Sequence, residues 1–133
     1  MTDSIITAQL TQASEGLLFL SESDAPFEVV RWKAEGQPLT PAQLLQLTGH
    51  PPNAPVQVVD IDKFFAIATQ EENWHDDEEK ETVQRFRQLV SVLKQNLSQI
   101  QVWKVGDRDI DAYIIGVTPA GDWAGLVTKL VET

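Results

Sequence analysis

One run leaves this chain little freedom of fold: DDEEKETVQRFRQLVSVLKQNL, residues 76–97, in which Val83, Phe86, Val90, Leu93 and Leu97 recur at intervals of three and four residues. Only a helix gathers that spacing onto one face, so the run is an amphipathic helix of about six turns. Its first turn is acidic, which the positive end of the helix dipole favours. Beyond it the chain turns to strand material: Val102 to Val105, Ile110 to Val117 and Trp123 to Val131, separated by Gly-Asp-Arg-Asp and by TPAGD. Short polar connections of that kind close antiparallel hairpins, so the last third is expected to be a three-stranded meander.

Upstream, residues 4–14 read as a short helix with Ile5, Ile6 and Leu10 on one side, stopped by Glu15-Gly16. Phe27 to Trp32 is rich in β formers and reads as a strand. Thr40-Pro41 supplies an N-cap and a first helical proline for a helix through Leu44, Leu45 and Leu47 to Gly49. HPPNAP, residues 50–55, is a proline-rich turn, and Val56 to Val59 a short strand. Asp60 then caps a helix over residues 61–68, with Phe64, Phe65 and Ala68 facing inward. The expected architecture is α+β: a mostly antiparallel sheet of four to five strands with helices on both faces. With 133 residues and no repeat, low-complexity tract or long linker, the chain is expected to be a single domain over residues 1–133.

FLSESDAPFEV, residues 19–29, has no helical period, and Ser21, Ser23 and Pro26 interrupt it. It reads as an exposed loop that presents Glu22, Asp24 and Glu28 and leads into the strand beginning near Phe27. Charged loops on a rigid scaffold are where function usually sits. Twenty acids against ten bases give a net charge of −10. That argues against a nucleic-acid binder, whose footprint is basic, and for a cationic partner. The chain has no cysteine, which removes disulfides, thiolate zinc sites and thiol nucleophiles. With no basic leader before an apolar run and no apolar stretch of membrane-spanning length, a cytoplasmic protein with no membrane contact is expected.

Several groupings carry possible chemistry, each with a plainer competitor. In WHDDEEKE, residues 74–81, only a pair such as His75 and Glu79 could share an ion, and a solvated acidic helix start is the simpler reading. His50 and His75 are the only histidines, and neither lies in a nucleophile motif. Gly116, Gly121 and Gly125 open no helix, so they form no phosphate cradle, and bulge or turn roles are expected of them. Asp109 and Asp111 share a strand face, more simply a solvated face than an acid–base pair. Trp32 and Trp103 fall in strands. Trp74 differs, because it lies in the most polar part of the chain, where an aromatic ring is either an interface anchor or half-buried under its loop. The residues therefore describe an acidic domain with loop-borne carboxylates at 22–28 and 71–81. No catalytic machinery, cofactor or metal site of its own is expected, as for a protein imitating a polyanion.

EGLLFLSESDAPFEV, TGHPPNAPVQVVDIDKFF, NWHDDEE and YIIGVTPAGDWAGLVTKLVET occur in this order over essentially the whole chain. Together they resemble the nuclease A inhibitor family. The resemblance implies a tight 1:1 inhibitor of a magnesium-dependent, sugar-nonspecific endonuclease that degrades DNA and RNA. It also implies a three-layer α/β/α sandwich similar to the PR-1-like fold. By the same resemblance Glu22 approaches the metal of the enzyme, the C-terminal carboxylate of Thr133 joins it, and Trp74 is the loop tryptophan of the interface. The residue before that tryptophan is acidic in the family pattern and is Asn73 here. A carboxylate can sit on a hard divalent cation where a phosphate oxygen would, yet has no scissile bond. Glu22 and Thr133 are thus expected as substrate mimics, Asp24 at the rim, and the other acids as a steering field. The alternative is an acidic regulatory module that binds another basic protein.

Overall fold

The long apolar stripe is a helix, and the three strands expected after it are present. The computed structural model describes residues 2–15, 17–19, 25–33, 39–69, 76–107, 109–119 and 121–131, the side chains of 2–4, 18–19, 25, 67–68 and 131 excepted. In chain order the elements are α1 (Thr2–Ser14), β1 (Leu18–Phe19), β2 (Ala25–Pro26), β3 (Glu28–Trp32), α2 (Pro41–Thr48), β4 (Val56–Val59), α3 (Ile61–Phe64), α4 (Ala66–Thr69), α5 (Asp77–Asn96), β5 (Ser98–Val105), β6 (Asp109–Val117) and β7 (Trp123–Val131).

Local signals set most of the boundaries. The Gln43 amide donates to Thr40 Oγ1 and the Thr40 amide to Gln43 Oε1, both at 3.2 Å, a reciprocal cap that satisfies two backbone donors. Pro41 follows at the first helical position, and left-handed Gly49 (φ 76°) ends α2. α5 starts the same way: the Glu79 amide donates to Asp76 Oδ1 at 2.7 Å, and the Asp76 amide to Glu79 Oε1 at 3.3 Å. The helix expected over residues 61–68 is instead two single turns, α3 and α4, divided at Phe65, and Asp60 makes no side-chain cap bond. Phe65 is buried, with its ring 5.0 Å from that of Phe64, 6.3 Å from Phe27 and 6.2 Å from Phe86. Adjacent residues on a regular helix point about 100° apart. Seating both rings against the core bends the backbone between them.

The main sheet has strand order β3-β7-β6-β5-β4, and every neighbouring pair is antiparallel. β5 to β7 are the expected meander. The stretch from Phe19 is not irregular throughout: Leu18 pairs with Pro26 and Phe19 with Ala25, a separate two-stranded ribbon. Two of the glycines answer to close backbone approach. β5 is bulged between Ser98 and Gln101, and a Cβ on Gly116 opposite would lie 2.8 Å from Leu97 Cβ. A Cβ on Gly125 would lie 1.7 Å from the Ile114 carbonyl oxygen. Gly121 is a turn residue at φ 89°.

The two faces of the sheet carry different cores. On one, Val102, Ile114, Ala124 and Leu126 meet Ile6 and Leu10 of α1, Ile61 of α3, and Phe86, Leu89 and Leu93 of α5. On the other, Trp103, Tyr113, Ile115 and Trp123 meet Leu44 and Leu45 of α2. Helices therefore lie on both faces of an α+β sheet. Each fully buried Leu or Phe of α5 contributes about 1.5–3 kcal/mol by removing apolar surface from water. Leu89 belongs to that stripe along with the residues expected there, while Val90 is only partly covered. Ile5 points away, 60% exposed, because Ile6 and Leu10 occupy the inner face of α1 and Ile5 precedes Ile6 by about 100° of turn.

Candidate functional site

Strand register decides which chain segments share an end of the sheet. Val56 faces Val105, Val105 faces Asp111, Asp109 faces Val131, and Glu28 faces Val127. One end therefore collects the starts of β3, β4 and β6 and the ends of β5 and β7. The opposite end collects Trp32, Ser98, Val117 and Trp123. α5 runs into that opposite end, since Leu97 joins Ser98 directly. Its middle passes Phe27, whose ring is 6.1 Å from Phe86, beside the start of β3. From Phe86 back to Asp77 is about 14 Å of helix rise, directed away from the opposite end.

Glu22, Asp24, Asn73, Trp74 and Thr133 lie outside the described residues, as does His75. The residues that flank them are described. Phe19 and Ala25, paired across the ribbon, bracket residues 20–24, while Thr69 and Asp76 bracket residues 70–75. Val131 precedes the last two residues and pairs with Asp109. Val131 lies at the first end of the sheet, the ribbon lies against β7 at Thr128, and Thr69 lies against the middle of α5 at Arg87. Specific bonds hold them. Thr128, buried in β7, donates its hydroxyl to the Pro26 carbonyl at 3.0 Å and ties the ribbon to the strand that leads to the C-terminus. Arg85 Nη2 donates to the Glu15 carbonyl, and Arg87 Nε to the Thr69 carbonyl at 2.7 Å.

Next to this end, on the α2 face, the fold assembles a polar group that no motif in the sequence announces. His50 Nε2 lies 3.1 Å from Asp111 Oδ2 and 3.1 Å from the Tyr113 hydroxyl. The rings of His50 and Tyr113 meet edge to face at 86°. Burial raises the Tyr113 phenol above its ordinary value; a hydrogen bond with Thr48 opposes this, and the Asp111 charge adds to it. Asp111 is thus not simply part of a solvated face, as expected for the Asp109–Asp111 pair: Asp109 is exposed, but Asp111 holds the residue after the α2 cap. One imidazole nitrogen faces both partners, so the group ties the proline-rich turn to β6. It does not form a nucleophile–base–orienter relay, which uses both ring nitrogens. The signal was weak in sequence because 63 residues separate His50 from Tyr113.

Among the described residues no group of three or more His, Cys, Asp or Glu could hold a metal ion. Asp76 and Glu79 are engaged in the helix cap, as expected for an acidic helix start. Among the same residues, no helix is long and apolar enough to cross a membrane. A cavity of about 370 Å³ lies between Leu39, Ile100, Trp103, Val117 and Trp123, at the opposite end of the sheet. The sequence pattern of the nuclease A inhibitor-like protein family matches residues 4–133. No curated protein matches the chain.

Proposed function

The chain belongs to the nuclease A inhibitor-like protein family, and we propose that it inhibits a magnesium-dependent, sugar-nonspecific endonuclease by covering its active site as a 1:1 complex. The observation that carries this reading is the family match over nearly the whole chain. The bond between the ribbon and the strand that leads to the C-terminus supports it. The ribbon that brackets residues 20–24 is tied to β7, which runs on toward Thr133, and in this reading one partner surface meets both. In this reading Glu22 and the Thr133 carboxylate take the places of substrate phosphate oxygens at the metal of the partner. Trp74 anchors the interface, with Asn73 beside it and Asp24 at the rim. The inhibitor is one domain over residues 1–133, a three-layer PR-1-like sandwich, acts in the cytoplasm, and needs no cofactor or catalytic group of its own.

Titrating the purified protein into a magnesium-dependent nuclease acting on DNA and on RNA tests this. Both activities should vanish together near equimolar protein. Full activity of such nucleases at excess protein, alongside retention of a basic non-nuclease partner, would favour the regulatory-module reading instead.

A further inference from the structure

A single imidazole nitrogen faces two oxygens and can serve only one of them fully. His50 Nε2 lies 3.1 Å from Asp111 Oδ2 and 3.1 Å from the Tyr113 hydroxyl. That nitrogen carries either one proton or one lone pair. With the proton, it has one hydrogen to share between two acceptors. With the lone pair, it can accept from Tyr113 but turns electron density toward the Asp111 carboxylate. A metal ion in place of the proton satisfies all three atoms at once. The spacing suits one: two ligands about 2.0 Å from a tetrahedral zinc stand about 3.3 Å apart.

The backbone around the group is well held. Asp111 and Tyr113 are two positions apart on β6, so they share a face, and β6 is paired on both sides. His50 directly follows the left-handed Gly49 that ends α2, and its amide donates to the Leu45 carbonyl at 2.9 Å. Thr48, the last residue of α2, hydrogen-bonds the phenol, the kind of outer contact that orients a metal ligand. The His50 and Asp111 side chains are 22% and 27% exposed, which leaves room for an ion to enter and for water as a fourth ligand. Lys129 stands opposite Asp111 on β7 but is exposed, where its pull on the carboxylate is weak. Among the described residues no trio of His, Cys, Asp or Glu is suited to a metal, and here the third donor is a phenol.

We propose that His50, Asp111 and Tyr113 form a binding site for one zinc ion, with water completing the tetrahedron. An imidazole with a carboxylate suits zinc, whereas magnesium takes oxygen ligands in octahedral geometry. Burial keeps the Tyr113 phenol protonated at neutral pH, so it is the weakest of the three ligands, and His50 and Asp111 carry the affinity. The ion joins the proline-rich turn at residues 50–55 to an inner strand and so stabilises the fold. It takes no part in the inhibition proposed above, and the two readings stand or fall separately.

Calorimetric titration with zinc chloride in excess magnesium tests this, together with the imidazole proton signals of His50 and His75 and the thermal midpoint. The parent should bind one equivalent, the His50 signals should move with it, and the thermal midpoint should rise with zinc concentration. His50→Asn and Asp111→Asn should each weaken binding at least about a hundredfold and remove that rise, and Tyr113→Phe should weaken it about tenfold. His75→Asn should leave it unchanged. A parent that takes up no zinc overturns the proposal, and the three side chains are then a hydrogen-bonded tether only. Zinc binding that survives His50→Asn, or that is lost in His75→Asn, puts the ion elsewhere and also overturns it. Circular dichroism checks that each variant is folded. Where one is not, the His50 signals of the parent decide, and signals unmoved by zinc overturn the proposal.

Discussion

A carboxylate that replaces a phosphate oxygen acts through its charge, so Glu22→Gln isolates that charge at constant shape. It is expected to weaken inhibition by about 2–5 kcal/mol with little change in thermal midpoint, part of the cost being the unpaired charge left on the partner. Inhibition equal to the parent in magnesium would remove Glu22 from the metal. Tyr113 offers a second measurement at this scale. Its phenol is raised by burial, so the folded protein holds the proton at a pH where the unfolded chain has released it. The unfolded state then binds fewer protons. Stability is therefore intact below about pH 10 and falls as pH rises through the folded value. The chain has one tyrosine, so absorbance reads its ionisation directly. Urea unfolding between pH 8 and 11 should show a steeper loss for the parent than for Tyr113→Phe, and parallel curves would contradict the raised value. Neither the His50–Asp111–Tyr113 group nor the arginine bonds to Glu15 and Thr69 could be read from the chain, because each joins groups with no local spacing to mark them.

Elements were legible where one local rule governed them. The α5 stripe, the Thr40 cap with Pro41 and Gly49, and the strand from Val56 to Val59 follow from periodicity and caps alone. The helix after Asp60 did not survive as one piece, because the packing of Phe64 and the burial of Phe65 override a regular turn there. The β1–β2 pairing escaped notice because two-residue strands containing a proline carry no alternating pattern. Gly125 shows how tightly two strands can depend on a missing side chain. A methyl there would lie 1.7 Å from the Ile114 carbonyl oxygen, which neither strand can yield without breaking their shared ladder. Gly125→Ala should cost about 3 kcal/mol or more in urea denaturation, beyond ordinary overpacking. A loss under about 1 kcal/mol would mean that the strands part at little cost.

For the whole molecule, charge acts before contact. A net charge of −10 should draw a basic partner from beyond contact range, and the attraction is screened within about 10 Å at 0.1 M salt. Association with the nuclease should slow roughly tenfold or more between low and physiological salt, while dissociation changes little. Stopped-flow association rates that stay flat across that range would rule out steering. The antiparallel register also acts at this scale, because it decides which connections share an end of the sheet.

The amino-acid sequence by itself determined the helix and strand types, the α+β class, the acidity that points to a cationic partner, and the family. Each of these rests on local patterning, on composition, or on strings read in order. Tertiary structure alone decided that the ribbon flanking residues 20–24 is tied to β7, the strand leading to Thr133. It alone decided that two arginines of α5 reach the carbonyls of Glu15 and Thr69, and that His50 meets Asp111 and Tyr113. The physical reason is that strand register and helix direction set distances between residues far apart in the chain. Sequence spacing carries no record of those distances until the two core faces have closed on the sheet.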